Sequence, residues 1–273
     1  MIVEGKASCG QVTREDRLTR ATSLSRIVVP FFSFNKSNVS IFKEVRSMSS
    51  FLKKTAILIA VILLACSCAW AKDSAPKGHP KTKGWKDLFT KDLSNAIVGP
   101  NSWVMENGVL VAKDHSEIWT KDSYGNFILD FEFKVGKGAN SGVFLRPRST
   151  KEILSGLEIQ LHESTDGSRY GMVGAIYDCM PPGKSMAKPA GEWNRFTITC
   201  QGDMVYLVFN GELVINADLN NWKEAGKNPD GTKNKFKMAL KDFPRQGPIG
   251  FQGLHGKEQS PIWFRNMKIK VLK

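Results

Sequence analysis

Phe127-Ile128-Leu129-Asp130-Phe131-Glu132-Phe133-Lys134-Val135 decides the fold. Phe127, Leu129, Phe131, Phe133 and Val135 alternate with Ile128, Asp130, Glu132 and Lys134. A period of two places one set on a buried face and the other on the opposite face of an extended chain. The same period recurs in Leu157, Ile159 and Leu161, in Phe196, Ile198 and Cys200, and in Val205, Leu207 and Phe209. Asn210-Gly211 then separates that last run from Leu213-Val214-Ile215, a strong hairpin signal because both turn residues tolerate positive φ. Ile249-Gly250-Phe251 and the stretch from Ile262 to Leu272 are also strand-like.

No stretch of similar length carries a helical stripe. Only Met186 to Ala190 and the neighbourhood of Trp222 leave room for a short helical turn. Many short strands set off by Gly, Pro and Asn turns predict an all-β sandwich or barrel. No repeat of fixed period is present. The domain runs from residue 84 to 273, long enough for one sandwich with a sizeable core.

Upstream the composition changes. Lys53-Lys54 precedes an apolar run from Thr55 to Cys68, which Ala69-Trp70-Ala71 follows with small residues. A basic stretch, an apolar stretch and a small-residue cleavage site predict a signal peptide over residues 48–71. Leu63-Leu64-Ala65-Cys66 also resembles a lipobox, so lipid on Cys66 and cleavage after Ala71 both remain open. Either route predicts export, to the periplasm or to a membrane that a lipid holds without a span. Met48-Ser49-Ser50 suits a start, and residues 1–47 read as a mis-assigned or disordered extension. Residues 72–83, rich in lysine and holding Pro76, Gly78 and Pro80, read as a solvated linker.

Of the formal charge of +13, residues 1–71 contribute 10 Lys+Arg against 4 Asp+Glu. The remainder keeps 29 against 22 with no basic run interleaved with aromatics, so nucleic acid is not an expected partner. Cys179 and Cys200 remain after processing, in a compartment that permits a disulfide. Cys200 ends an apolar strand face, where a free Cys behaves as a small hydrophobe. Neither the cysteines nor the four histidines have zinc-ligand spacing.

Gly156-Leu157-Glu158-Ile159-Gln160-Leu161-His162-Glu163 carries the most chemistry. With Leu157, Ile159 and Leu161 inward, Glu158, Gln160 and His162 line up on the other face. A carboxylate, an amide and an imidazole in a row offer a base or ligand, an orienting group and a second base; an ordinary solvated strand face offers the same pattern. In Asn140-Ser141-Gly142-Val143-Phe144-Leu145-Arg146, Val143 and Leu145 inward would leave Phe144 and Arg146 on the opposite face. There Arg146 would hold an anionic oxygen or pair with Glu158. Tyr177 and Asp178, before Pro181-Pro182-Gly183, would form a cleft wall, and His255 sits between Gly253 and Gly256. Trp85, Trp103, Trp119 and Trp193 would stack on sugar rings or fill the core.

Taken in order, the motifs resemble the 3-keto-disaccharide hydrolase domain family. They are Gly84-Trp85, Leu88-Phe89, Asn107-Gly108-Val109-Leu110, Tyr124-Gly125-Asn126-Phe127 and Asn140 to Arg146. Gly156 to Gln160, Gly174-Ala175-Ile176-Tyr177, Lys188 to Asn194, Asn210-Gly211, Gly247 to Gln252 and Phe264-Arg265-Asn266 continue the resemblance. It implies a concanavalin-like jelly-roll sandwich of two antiparallel sheets, and cleavage of glycosides already oxidised to a ketone at C3. Such a ketone acidifies the C2 hydrogen, so a base removes it, the C1 oxygen is eliminated and water adds to the enone. The base would be His162 or Glu158, with Arg146 or a bound divalent metal at the enolate. Gln160 and Asn140 would orient hydroxyls, with Tyr177, Asp178 and His255 also on the substrate. The rival expectation is a non-catalytic, lectin-like carbohydrate-binding module on the same fold.

Overall fold

The computed structural model describes residues 75–163, 169–256 and 260–273. The chain divides into Met1–Lys72 and Asp73–Lys273. The expected extension, signal peptide and lipid-bearing Cys66 lie outside the described residues. Among the described residues, no helix is long and apolar enough to cross a membrane.

Thirteen strands are described: β1 (Lys86–Asp87), β2 (Ala96–Ile97), β3 (Trp103–Glu106), β4 (Val109–Ala112), β5 (Ile118–Thr120), β6 (Phe127–Val135) and β7 (Asn140–Leu145). β8 (Leu157–His162), β9 (Asn194–Gln201), β10 (Met204–Phe209), β11 (Glu212–Asp218), β12 (Ile249–Phe251) and β13 (Ile262–Val271) complete them. The larger sheet runs β11-β10-β9-β6-β13-β4-β3 with β1 added on β13, and the smaller runs β2-β5-β12-β7-β8. Every pairing between strands is antiparallel. This is the expected all-β jelly-roll sandwich.

The alternation of β6 explains its place. Phe127, Leu129, Phe131 and Phe133 are buried between the sheets, while Ile128, Glu132 and Lys134 are half-buried on the outer face. Phe131 packs edge-on against Phe251 of the smaller sheet, with centroids 5.5 Å apart, and against Phe196 at 5.8 Å. Phe133, Phe196 and Phe209 extend the cluster with centroid separations of 4.6 Å. Edge-to-face pairs of this kind add about 0.5–1.5 kcal/mol each beyond area burial. Asn210-Gly211 turns β10 into β11 with φ of 47° and 95°, a hairpin conformation that other residue types adopt at a cost.

Two local expectations change. Met186 to Ala190 is not helical, as Pro189 has no N–H to donate; a single 3-10 turn, Leu219–Asn221, precedes Trp222. Residues 75–83 are not a solvated linker but a strap on the outer face of the larger sheet. Gly211 donates its N–H to Nε2 of His79 at 2.8 Å, which leaves the ring proton on Nδ1, 2.7 Å from Oγ1 of Thr197. That hydroxyl in turn donates to buried Asp130, and Arg195 reaches both Asp130 and the carbonyl of Pro80. The lysines of this stretch had suggested solvation; the binding is done by its one histidine and the carbonyl of Pro80. Cys179 and Cys200 are both free and buried, each in the core rather than in a bridge.

Candidate functional site

The smaller sheet presents its outward residues in rows that the register fixes. Gly250 of β12 lies opposite Trp119 of β5 on one side and Phe144 of β7 on the other; Phe144 in turn lies opposite Glu158 of β8. The next row sets Gly142 opposite Gln160, and the last sets Asn140 opposite His162. Leu157, Ile159 and Leu161 face the core, so Glu158, Gln160 and His162 do share the opposite face.

Two glycines make this face possible. A Cβ on Gly142 would sit 2.5 Å from Oε1 of Glu158 and 2.9 Å from its Cγ, so the carboxylate lies across the bare backbone of β7. A Cβ on Gly250 would collide with the indole of Trp119, which lies over that backbone and stacks on Phe144 with centroids 5.4 Å apart. Side chains thus occupy volume that the neighbouring strand would otherwise fill. Trp119 and Phe144 are buried, and Phe144, opposite Glu158 in the register, borders it with aromatic surface.

The other wall comes from two connections. Residues 174–177 run along the free edge of β8. The N–H groups of Gly174 and Tyr177 donate to the carbonyls of Gln160 and Glu158, and the N–H of Gln160 donates to Ala175. Tyr177 therefore sits beside Glu158, and Asp178 follows with φ of 64°. The carboxylate of Asp178 accepts the backbone N–H of Lys235 at 2.5 Å, while Nδ2 of Asn228 donates to the Asp178 carbonyl at 3.0 Å. Asn228 is itself buried and receives Nε1 of Trp222 at 3.0 Å and Nδ2 of Asn234 at 2.9 Å. This anchored loop delivers Nζ of Lys235 to 3.2 Å from Oε2 of Glu158 and 4.2 Å from the centroid of the Tyr177 ring.

Only 12% of the Glu158 side chain is exposed, against 32% for Lys235. Burial raises the pKa of Glu158 above 4.5, against the opposing pull of Lys235, by charge and hydrogen bond, and of His255. Burial prevails, which suits a carboxylate that must accept a proton near neutral pH. Gln160 is buried and donates Nε2 to Oδ1 of Asn140 at 3.1 Å, which fixes the orientation of both amides. His255 donates its backbone N–H to the Asn140 carbonyl, and its side chain is exposed beside the same face. The backbone N–H of Gln252 donates to the carbonyl of Gly142.

Arg146 is elsewhere. Its φ of 57° breaks the alternation at the end of β7, so parity with Phe144 no longer sets its direction. Nε donates to the carbonyl of Gly125 and Nη1 to that of Gly202, and the guanidinium lies 5.5 Å from the Phe127 ring centroid. Nη2 is buried without a partner. The cation paired with Glu158 is Lys235, not Arg146. Asp178 braces the Lys235 loop through one carboxylate oxygen. Among the described residues no three His, Cys, Asp or Glu side chains cluster as a metal-ligand set, and Glu158 already faces an ammonium. The described residues offer no such set for a resident divalent ion, and no chemical step is routed through one.

Lys235 carried no functional signal in the sequence, and Gly142 and Gly250 stood out only as members of longer motifs. A lysine in a polar loop has no periodicity to betray it, and a glycine that yields volume to a neighbour looks like any strand glycine.

Known proteins resemble this chain along the same span. A Bacteroides thetaiotaomicron 3-keto-disaccharide hydrolase is 25% identical over 208 residues, covering 63% of this chain and 71% of that protein. The crystal structure of a Parabacteroides distasonis protein assigned as a glycosyl hydrolase is 39% identical, with a TM-score of 0.67, covering 70% of this chain and all of that one. A second such protein from the same organism, at 24% identity and a TM-score of 0.52, covers 70% of this chain and 84% of its own and shares the fold. Residues 81–270 match the family described as the 3-keto-alpha-glucoside-1,2-lyase-like domain, and the chain belongs to that family.

Proposed function

We propose that this protein cleaves glycosides whose sugar carries a ketone at C3, with Glu158 as the base. The observation that carries the reading is the Glu158 carboxylate itself, almost wholly buried against Gly142, with its pKa raised by that burial. Ordinary retaining glycoside hydrolysis needs a second carboxylate about 5 Å away. Among the described residues, the neighbouring positions on the strand hold Gln160 and His162, Glu163 accepts the N–H of Gly138, and Asp178 is tied to the Lys235 backbone. A 3-keto sugar removes that need, because its C2 hydrogen is acidic enough for one base.

Glu158 takes the C2 proton; the electron pair forms the enolate and then expels the C1 oxygen. Water adds across the resulting C1=C2 bond and restores a 3-keto sugar. Gln160 and Asn140, locked to each other, present their remaining donors and acceptors to ring hydroxyls. Tyr177, His162 and His255 border the same space.

Export is part of this proposal and rests on the sequence alone, on Lys53-Lys54, the apolar run, and Cys66 or Ala71. Labelled palmitate recovered on the protein, and lost in Cys66→Ala, would select the lipid route.

The catalytic reading is tested by mixing the purified protein with a 3-keto-glucoside and with its unoxidised parent. Aglycone release from the ketone alone is expected, and its loss in Glu158→Gln. Release from neither substrate sinks the enzyme reading in favour of a binding module, and equal release from both sinks the elimination.

A further inference from the structure

We infer that Lys235 is a catalytic residue, the cation that receives the enolate oxygen at C3; this rests on the keto-glycoside reading above. The reaction requires a positive group next to the base, because the hydrogen on C2 and the oxygen on C3 are borne by adjacent atoms. Arg146 is turned to the carbonyls of Gly125 and Gly202 and does not serve. Lys235 meets the requirement, with Nζ 3.2 Å from Glu158 Oε2.

An ammonium has three donors. One is directed at Glu158 and one side rests on the Tyr177 ring, which leaves a donor for a ligand. About a third of the side chain is open to solvent, so the group is reachable. Its approach is preorganised: Asp178 holds its backbone N–H, and buried Asn228 fastens both Asp178 and the loop that carries it. Tyr177 and Asp178, read from sequence as a cleft wall, gain a purpose as the seat and the brace of this lysine.

The charge balance favours the assignment. Before reaction the pair is carboxylate and ammonium. When the C2–H bond breaks and the proton joins Glu158, the C–H pair becomes the C2=C3 bond and the carbonyl pair moves to the C3 oxygen. The negative charge has then passed from Glu158 to that oxygen, and the ammonium lies beside both positions. No net charge is created within a partly dry site, and the cation need not reorganise. In the second half the oxygen pair reforms C3=O, the C1=C2 bond forms and the C1–O bond breaks. The leaving oxygen takes a proton from water.

The test compares wild type, Lys235→Met and Lys235→Arg on a 3-keto-glucoside carrying hydrogen or deuterium at C2. Removing one oxyanion donor typically costs on the order of 100-fold or more in kcat. Lys235→Met is expected to lose that much while KM changes by less than about threefold, as for an interaction made only in the transition state. Its C2-deuterium effect on kcat should exceed that of wild type, since proton removal becomes rate-limiting, and Lys235→Arg should recover part of the rate. A lysine that merely held Glu158 would shift the acid limb of the pH profile and leave the plateau rate intact. Thermal melts establish that each variant is folded, and Lys235→Arg carries the test should Lys235→Met melt early. Wild-type plateau kcat and an unchanged isotope effect in a folded Lys235→Met overturn the assignment but leave the keto-glycoside reading standing. A wild type inert on the ketone removes both.

Discussion

Substituting Gly142 by alanine adds one methyl group at the point where β7 makes room for the Glu158 carboxylate. An ideal Cβ there lies 2.5 Å from Oε1 of Glu158, 2.9 Å from Cγ and 3.1 Å from Cδ, so something must move. The obstructing atoms belong to a flexible side chain, and Gly142 has no positive φ that alanine would resist. Glu158 therefore swings away while the sheet holds. Overpacking costs about 1–3 kcal/mol, and the stiffer unfolded chain returns about 0.4–1 kcal/mol of that. The fold should thus lose no more than about 2–3 kcal/mol. Activity should suffer as much, since a shift of roughly 1 Å in a reacting group costs about 100-fold, or about 2.7 kcal/mol of transition-state stabilisation. The assay pairs aglycone release from a 3-keto-glucoside with urea unfolding of Gly142→Ala. Adding Glu158→Gln to Gly142→Ala should cost little beyond Glu158→Gln alone, because both changes act through one carboxylate. A folded Gly142→Ala with wild-type kcat would show that the place of Glu158 over β7 is irrelevant to turnover, and would refute the reasoning.

Arg146→Met removes two charge-assisted hydrogen bonds made by a buried guanidinium to backbone carbonyls and should cost about 1–3 kcal/mol in urea unfolding, with kcat per folded molecule unchanged. The acid limb of kcat/KM should lie above pH 4.5, the ordinary value for Glu158, because burial outweighs the charge of Lys235. Folded Glu158 holds its proton to higher pH than unfolded Glu158, so its contribution to stability is present below pH 4.5 and lost as pH rises through the folded pKa; Glu158→Gln should flatten that part of the stability curve. His79 behaves oppositely. Burial, and then the charge of Arg195, lower its pKa below 6.5, so strap stability is lost as pH falls from 6.5 through the folded pKa. His79→Ala should remove this dependence and speed proteolysis within residues 75–83.

The sandwich was legible because its signals are short-range. Period-two patterning requires only that one face be buried, and the phenylalanines of β6 are buried as their spacing demands. Asn210-Gly211 requires only positive φ at two positions, which it has. The same rule failed at Arg146, since parity along a strand holds only while the backbone stays extended, and φ of 57° ends it. Composition misled at residues 75–83, where the lysines said solvent. One imidazole, with a donor and an acceptor both satisfied across the sheet, outweighed the lysines around it.

Half of the candidate site was legible for the same reason and half was not. Glu158, Gln160 and His162 share a face by periodicity alone, and Asn140 joins them through antiparallel register. Lys235 reaches Glu158 across 77 positions of sequence, through a loop whose course is set by Asn228 and Asp178 hydrogen bonds instead of any repeating pattern. That difference has a chemical consequence. Groups on one strand arrive together at fixed spacing and can orient a substrate, but the same-face positions of β8 after Glu158 hold Gln160 and His162, not a lysine or arginine. The contact of 3.2 Å between ammonium and carboxylate comes here from a separate segment. A site that must shift charge from a carboxylate to a neighbouring oxygen therefore needs both parts, and the part supplied by the loop is the one that strand periodicity does not reveal.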